Sequence, residues 1–140
     1  MEKTQYLSNE SSVRAAVTIT KPMLWTGSVL SGLAVLFMIL DGAMKLGKPA
    51  VVLEATWQLG FPESGIVGIG IVLLACTLLY TFPRSSILGA VLLTGYLGGA
   101  VAIQVRAGNG WFNVFFPVML GAMVWTGLWL RDQRVRALLV

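Results

Sequence analysis

Residues 23–40 read MLWTGSVLSGLAVLFMIL, an apolar run with no charged residue between Lys21 and Asp41. At a rise of about 1.5 Å per residue, a helix of that length crosses a hydrocarbon core about 30 Å thick. A secretory signal peptide would have a shorter apolar core and a small-x-small cleavage site, whereas this run ends in Leu40 and Asp41. It is read as a retained membrane-spanning helix.

Three further runs repeat the pattern. Gly65–Phe82 follows Pro62 and Glu63 and stops at Pro83, which a helix interior cannot accommodate. Ile87–Val105 begins after only Arg84, Ser85 and Ser86, so the second and third spans form a tight antiparallel hairpin. Trp111–Leu130 ends in the charged stop Arg131, Asp132, Gln133, Arg134, Val135 and Arg136. The expected fold is all-α, a four-transmembrane-helix bundle with spans about 23–44, 65–82, 86–105 and 111–130. These form a membrane domain, 23–140, behind a flexible cytoplasmic tail, 1–22, with a short helical turn near Val13–Ile19.

Composition agrees with that class. Mean hydropathy is +0.81 and only 11% of residues are charged, too apolar for an ordinary soluble domain. Lys3, Arg14, Lys21, Arg84, Arg131, Arg134 and Arg136 fall on one side of the spans, and Lys45, Lys48 and Arg106 on the other. The positive-inside rule then puts both termini in the cytoplasm, N-in and C-in. Trp25, Tyr80, Trp111, Trp125 and Trp129 lie near predicted span ends, where amphipathic rings anchor depth. The net charge of +4 is dispersed beside apolar runs, so the lipid bilayer, not nucleic acid, is the expected partner.

The same composition excludes much chemistry. The lone cysteine, Cys76, permits no intrachain disulfide or thiolate cage, and with no histidine there is no His-ligated haem, zinc or copper and no imidazole proton shuttle. No cofactor is expected, and the reading leans away from an enzyme.

The longest connection, 45–64, is extracytoplasmic in this arrangement. Pro49 suits a helix start and Gly60 a helix end, with Val52, Leu53, Thr56 and Leu59 on one face and Glu54 and Gln58 elsewhere. A short interfacial helix is expected between spans 1 and 2. Small residues punctuate the spans themselves: Gly95 and Gly99, extended by Ala102, form a G-x-x-x-G stripe, and Gly27 with Ser31 and Ser28 with Gly32 are similar pairs. Such stripes let backbones approach closely, and the expectation is packing within one bundle, with a homo-oligomer face as the alternative.

Ionisable groups near a membrane core are costly and mark functional candidates. Asp41 and Lys45 stand four apart, acid first, at the outer end of the first span, as an ion pair that ends the helix or as the lining of an outward-facing cavity. Tyr96, Gln104 and Arg106 are the second polar group, near the outer end of the third span. Gln104 offers both donor and acceptor, and Arg106 can clamp a carboxylate or carbonyl or pair with Asp41 or Glu54. Asn109, Gly110 and Asn113 make a turn before Pro117, which predicts a kink in the fourth span. Asp41, Lys45, Glu54, Tyr96, Gln104 and Arg106 are the expected ligand-binding residues; no catalytic or metal-ligating set is expected.

Leu40-Asp-Gly-Ala-Met-Lys-Leu, Gln58-Leu-Gly-Phe-Pro-Glu-Ser, Leu74-Ala-Cys-Thr-Leu-Leu-Tyr, Pro83-Arg and above all the third-span stretch from Leu88 to Ala102, followed by Val105-Arg, resemble the DoxX-like family of small bacterial membrane proteins. The resemblance runs from about Met23 to Leu139 and implies a four-helix bundle in the bacterial cytoplasmic membrane. The family name comes from a membrane subunit tied to quinone-linked sulfur oxidation. Relatives often carry an acidic residue in the second span, where this chain is apolar around Leu73, and a Thr-His before the arginine, where it has Ile103-Gln104. Asp41, Lys45, Tyr96 and Arg106 match. The resemblance implies an accessory, non-catalytic subunit beside a membrane redox partner, holding a quinone or other small ligand near the outer face. The alternative is a small-molecule transporter or channel, and the third reading an oxidoreductase subunit.

Overall fold

The structure, a computed structural model, describes residues 1–139. They form seven helices: α1 Glu2–Val17, α2 Lys21–Gly47, α3 Ala50–Gln58, α4 Glu63–Thr81, α5 Ser86–Arg106, α6 Trp111–Arg131 and α7 Gln133–Leu139. Four of them, α2, α4, α5 and α6, are long and apolar enough to cross a bilayer. Sequence explains their limits. Pro22 preorganises the first turn of α2, and Phe82 is extended because it precedes Pro83, which ends α4. α6 continues through Pro117 as one helix.

Each spanning helix packs on two neighbours, α2 and α5 both lying between α4 and α6. The four thus close into an antiparallel ring in chain order. Both chain ends gather at one end of the bundle, the tail end, where α1 meets α7; the loops at the opposite, rim end carry α3. Leu33, Leu36, Val72, Leu78, Leu88 and Val118 point outward and exposed, a distribution that suits lipid and not water.

In the tail half the helices press together. A methyl added at Gly89 would stand 2.2 Å from the backbone nitrogen of Tyr80, so α5 lies directly on the α4 backbone. Methyls at Gly27 and Gly127 would likewise stand 2.8 Å from the Gly127 carbonyl and 2.5 Å from Ser31 Oγ, where α2 crosses α6. The Gly27 and Ser31 pair therefore packs as expected. The Gly95 and Gly99 pair does not: nothing lies within 4 Å of a methyl at either, nor at Gly32. A small-residue pair permits close approach, but a neighbouring backbone must be there to use it.

Tyr80 is fully buried, which corrects the reading of it as an interfacial anchor. Its hydroxyl donates to the Val124 carbonyl at 2.9 Å and therefore accepts from Ser31, 2.8 Å away. Trp125 also has an interior role, donating to Thr94 Oγ1 at 2.8 Å, while Trp25 and Trp111 are exposed as anchors would be.

The tail end is more than a source of orientation. Arg136 is buried; its Nε donates to the Trp129 carbonyl at 3.0 Å, and Nη1 to the Ala16 and Thr18 carbonyls at 3.2 and 3.3 Å. It lies 4.2 Å from the Trp129 ring centroid, a cation–π contact. This clamp holds the end of α1, a helix with no buried residue that is much longer than the turn expected over Val13–Ile19. Asp132 accepts from Arg134 and from Ser86 Oγ at 3.4 Å, and Arg134 also donates to the Pro83 carbonyl, fastening the end of α6 to the α4–α5 turn.

Two outcomes follow for the purified full chain in detergent. Gly89→Ala must push two backbones apart and is expected to cost up to about 3 kcal/mol of unfolding free energy in mixed-micelle titration, while Gly95→Ala leaves stability unchanged or slightly raised. The second concerns pH. The Arg134 hydrogen bond holds the Asp132 carboxyl below its usual range. Because the folded pKa is the lower one, this stabilisation is complete above the ordinary aspartate value of about 3.9 and is lost as pH falls below it. The melting-temperature difference between wild type and Asp132→Asn should therefore shrink as pH falls below about 4.

Candidate functional site: a cavity at the rim end

The polar rim residues stand where helices loosen. Phe37, Asp41 and Lys45 recur every four residues and share one face of α2. Tyr96, Ala100 and Ile103, four and three apart, share a face of α5, and α6 contributes Phe116, Pro117 and Leu120. Together with Ile69 of α4 they line a cavity of about 480 Å³, a size that suits a small organic molecule.

Its roof is α3 and the turn behind it. Half-buried Val52, Leu53, Thr56 and Leu59 form the inner face of α3, and Glu54, Trp57 and Gln58 the exposed one. Gly60 has a positive φ of 80° and closes the helix: its N–H reaches the Trp57 carbonyl at 2.9 Å, and the Phe61 N–H reaches Thr56 at 3.2 Å. That closure turns Phe61 back over the cavity beside Thr56 and Leu59. Lys48 and Glu63, 3.7 Å apart, brace the two ends of the excursion.

The cavity body is apolar and its polar groups are few. Lys45 Nζ donates to Asp41 Oδ2 at 2.5 Å, with side chains 21% and 39% exposed, so the pair is neutral as a unit yet reachable from the cavity. Tyr96 is half-buried, and among the described residues its hydroxyl has no hydrogen-bond partner. Gln104 is held from both sides. Its carbonyl oxygen accepts from Asn109 Nδ2 at 2.5 Å, and its backbone carbonyl accepts the Asn109 N–H at 3.2 Å in the turn at Gly108, φ 68°. Its side-chain N–H groups remain free to donate. Phe37 and Phe116 meet edge to face, centroids 4.8 Å apart, and close the α2–α6 side.

Four of the six residues expected to bind a ligand thus converge: Asp41, Lys45, Tyr96 and Gln104. Glu54 and Arg106 stay outside the cavity, both exposed. Arg106 has no acidic partner among the described residues and lies beside Gly60 at the rear of the roof. Arg106 bridges neither Asp41, which is paired with Lys45 one turn away on its own helix, nor Glu54, which lies on the exposed face of α3. The apolar lining was missed by attending only to polar residues. The four-residue spacing of Phe37, Asp41 and Lys45 was a signal that Phe37 shares their face.

A family model described as the DoxX-like family matches residues 29–127. This chain belongs to the DoxX-like family. The match takes in every residue that lines the cavity, and it leaves out α1 and the Arg136 clamp. No curated protein and no solved structure matches the chain. With its four apolar helices, this DoxX-like chain is a multi-pass membrane protein.

The roof gives a direct test of how the cavity is covered. Gly60→Val places a β-branched residue at φ 80° and should undo the α3 closure, raising protease cleavage between Lys48 and Glu63 severalfold in the detergent-purified protein. Gly110→Val, at a φ of −57°, should leave cleavage unchanged.

Proposed function

We propose that this DoxX-like protein is an accessory, non-catalytic component of a quinone-linked system in the bacterial cytoplasmic membrane, and that its rim cavity holds a small neutral ligand such as a quinone ring. The observation that carries the reading is the cavity's chemistry: apolar and aromatic walls with one unpartnered phenol, a donor amide and a mutually neutralised ion pair. A ring with carbonyl oxygens can accept from Tyr96, Gln104 or Lys45, while its faces pack on Phe37 and Phe116. A net-charged ligand would have to break the Asp41–Lys45 pair, so a neutral one fits better. The arginines at the tail end support the N-in, C-in orientation, which puts the cavity at the outer face and α3 at its interface.

A through-path is less well supported. Below the cavity the bundle is filled by Met38, Leu73, Leu93 and Val124, each at most 1% exposed, so the cavity ends blind in the middle of the bundle. A holder of ligands needs only one mouth.

The test is equilibrium binding of decylubiquinone to the full chain in lipid nanodiscs. Saturable binding is expected, weakened about tenfold by Tyr96→Phe, the effect of one hydrogen bond of about 1.4 kcal/mol, and changed less than about twofold by Glu54→Gln. Absence of saturable binding to the wild type, or equal affinity in Tyr96→Phe and wild type with Glu54→Gln impaired, would overturn the assignment.

A further inference from the structure

The α4–α5 hairpin is not equally tight along its length. At its turn Gly89 rests on the backbone of Tyr80. From Gly89, helical spacing carries the α4-facing stripe of α5 through Leu92, Tyr96, Gly99 and Ile103. Along this stripe exposure sets in at the first of these. Leu92 is already 41% exposed. At Gly99, about ten residues or ~15 Å from Gly89, nothing stands within 4 Å of where a side chain would begin. The same openness holds at Gly95, one turn deeper. Yet Gly95, Gly99 and Ile69 are cavity wall. The cavity wall here is therefore exposed bare backbone on α5, with Ile69 supplied by α4.

The depth of that bare stretch decides what faces it. Gly99 lies about two turns below the rim end of α5, within the apolar part of the helix, where a spanning helix meets hydrocarbon and not water. The opposite, α2–α6 side is shut by Phe37 against Phe116, and the rim is roofed by α3.

We propose that the cavity is loaded sideways from the bilayer, through the gap between α4 and α5 at Gly99, and that its ligand is a single-tailed neutral amphiphile. The head lies against Tyr96 and the Asp41–Lys45 pair, and the tail leaves between Ile69 and Gly99 into the lipid. The inference builds on the ligand-holding role proposed above and adds the route and the tail.

The full chain in nanodiscs, exposed to a long-chain alcohol carrying a diazirine near its hydroxyl, tests the route without depending on a quinone. Illumination followed by peptide mass spectrometry is expected to find adducts on the inward residues Tyr96 and Phe116 as well as on the outward Leu88. Gly99→Leu, which fills the gap, should reduce the inward adducts at least fivefold and spare those on Leu88. Gly98→Leu is the control, since Gly98 is equally open but lines no cavity; it should label like wild type. Inward adducts missing from the wild type while Leu88 is labelled, or equally strong in Gly99→Leu, would overturn lateral loading. Decylubiquinone in excess is expected to suppress only the inward adducts; if it does not, the quinone assignment fails while the route stands.

Discussion

A phenol buried deep in the tail half of a lipid-embedded bundle organises this protein. With no bulk water to bond it, a hydroxyl at that depth costs several kcal/mol unless protein groups satisfy it. Tyr80 meets that constraint by donating to Val124 on α6 and accepting from Ser31 on α2. From α5, Gly89 lies on its backbone, so one residue of α4 touches all three other spans. Arg131 adds a cation 5.0 Å from its ring centroid. The positions of the helices around Tyr80 are set by bonds that have no aqueous substitute.

The rest of the architecture follows from where that constraint ends. Around Tyr80 the glycines Gly27, Gly89 and Gly127 allow backbone-to-backbone contact, and the core there is filled. Toward the rim no comparable polar node draws the helices together. Bulky Phe37 and Phe116 meet between α2 and α6, and the backbone of α5 at Gly95 and Gly99 stands bare. A ligand-sized space is the consequence of tight packing at one end and aromatic spacers at the other. This division separates stability from binding: the tail half holds the fold, which leaves the rim half free to carry the chemistry.

That chemistry is restrained. The ionisable pair at the cavity mouth neutralises itself, and the remaining polar groups can fix an orientation but supply no nucleophile paired with a base.

Four spanning helices, the roof helix and its closure at Gly60 were legible in the linear chain, because hydropathy runs, proline stops and helix-ending glycines act over a few residues. Asp41 with Lys45 was legible for the same reason, both lying on one turn of one helix. Long-range choices were not. Nothing in the sequence says that Arg106, and not Gln104, would fall outside the cavity, that Gly95 and Gly99 would face open space while Gly89 and Gly127 met a backbone, or that Tyr80 and Arg136 would be buried. Each depends on which neighbour the ring of helices brings alongside, and in lipid that is decided by side-chain fit and hydrogen bonding between spans, with little help from hydrophobicity. The sequence by itself determined how many helices are long and apolar enough to cross the bilayer; only the tertiary structure decided which neighbour each one meets, and so where packing is tight and where a cavity remains.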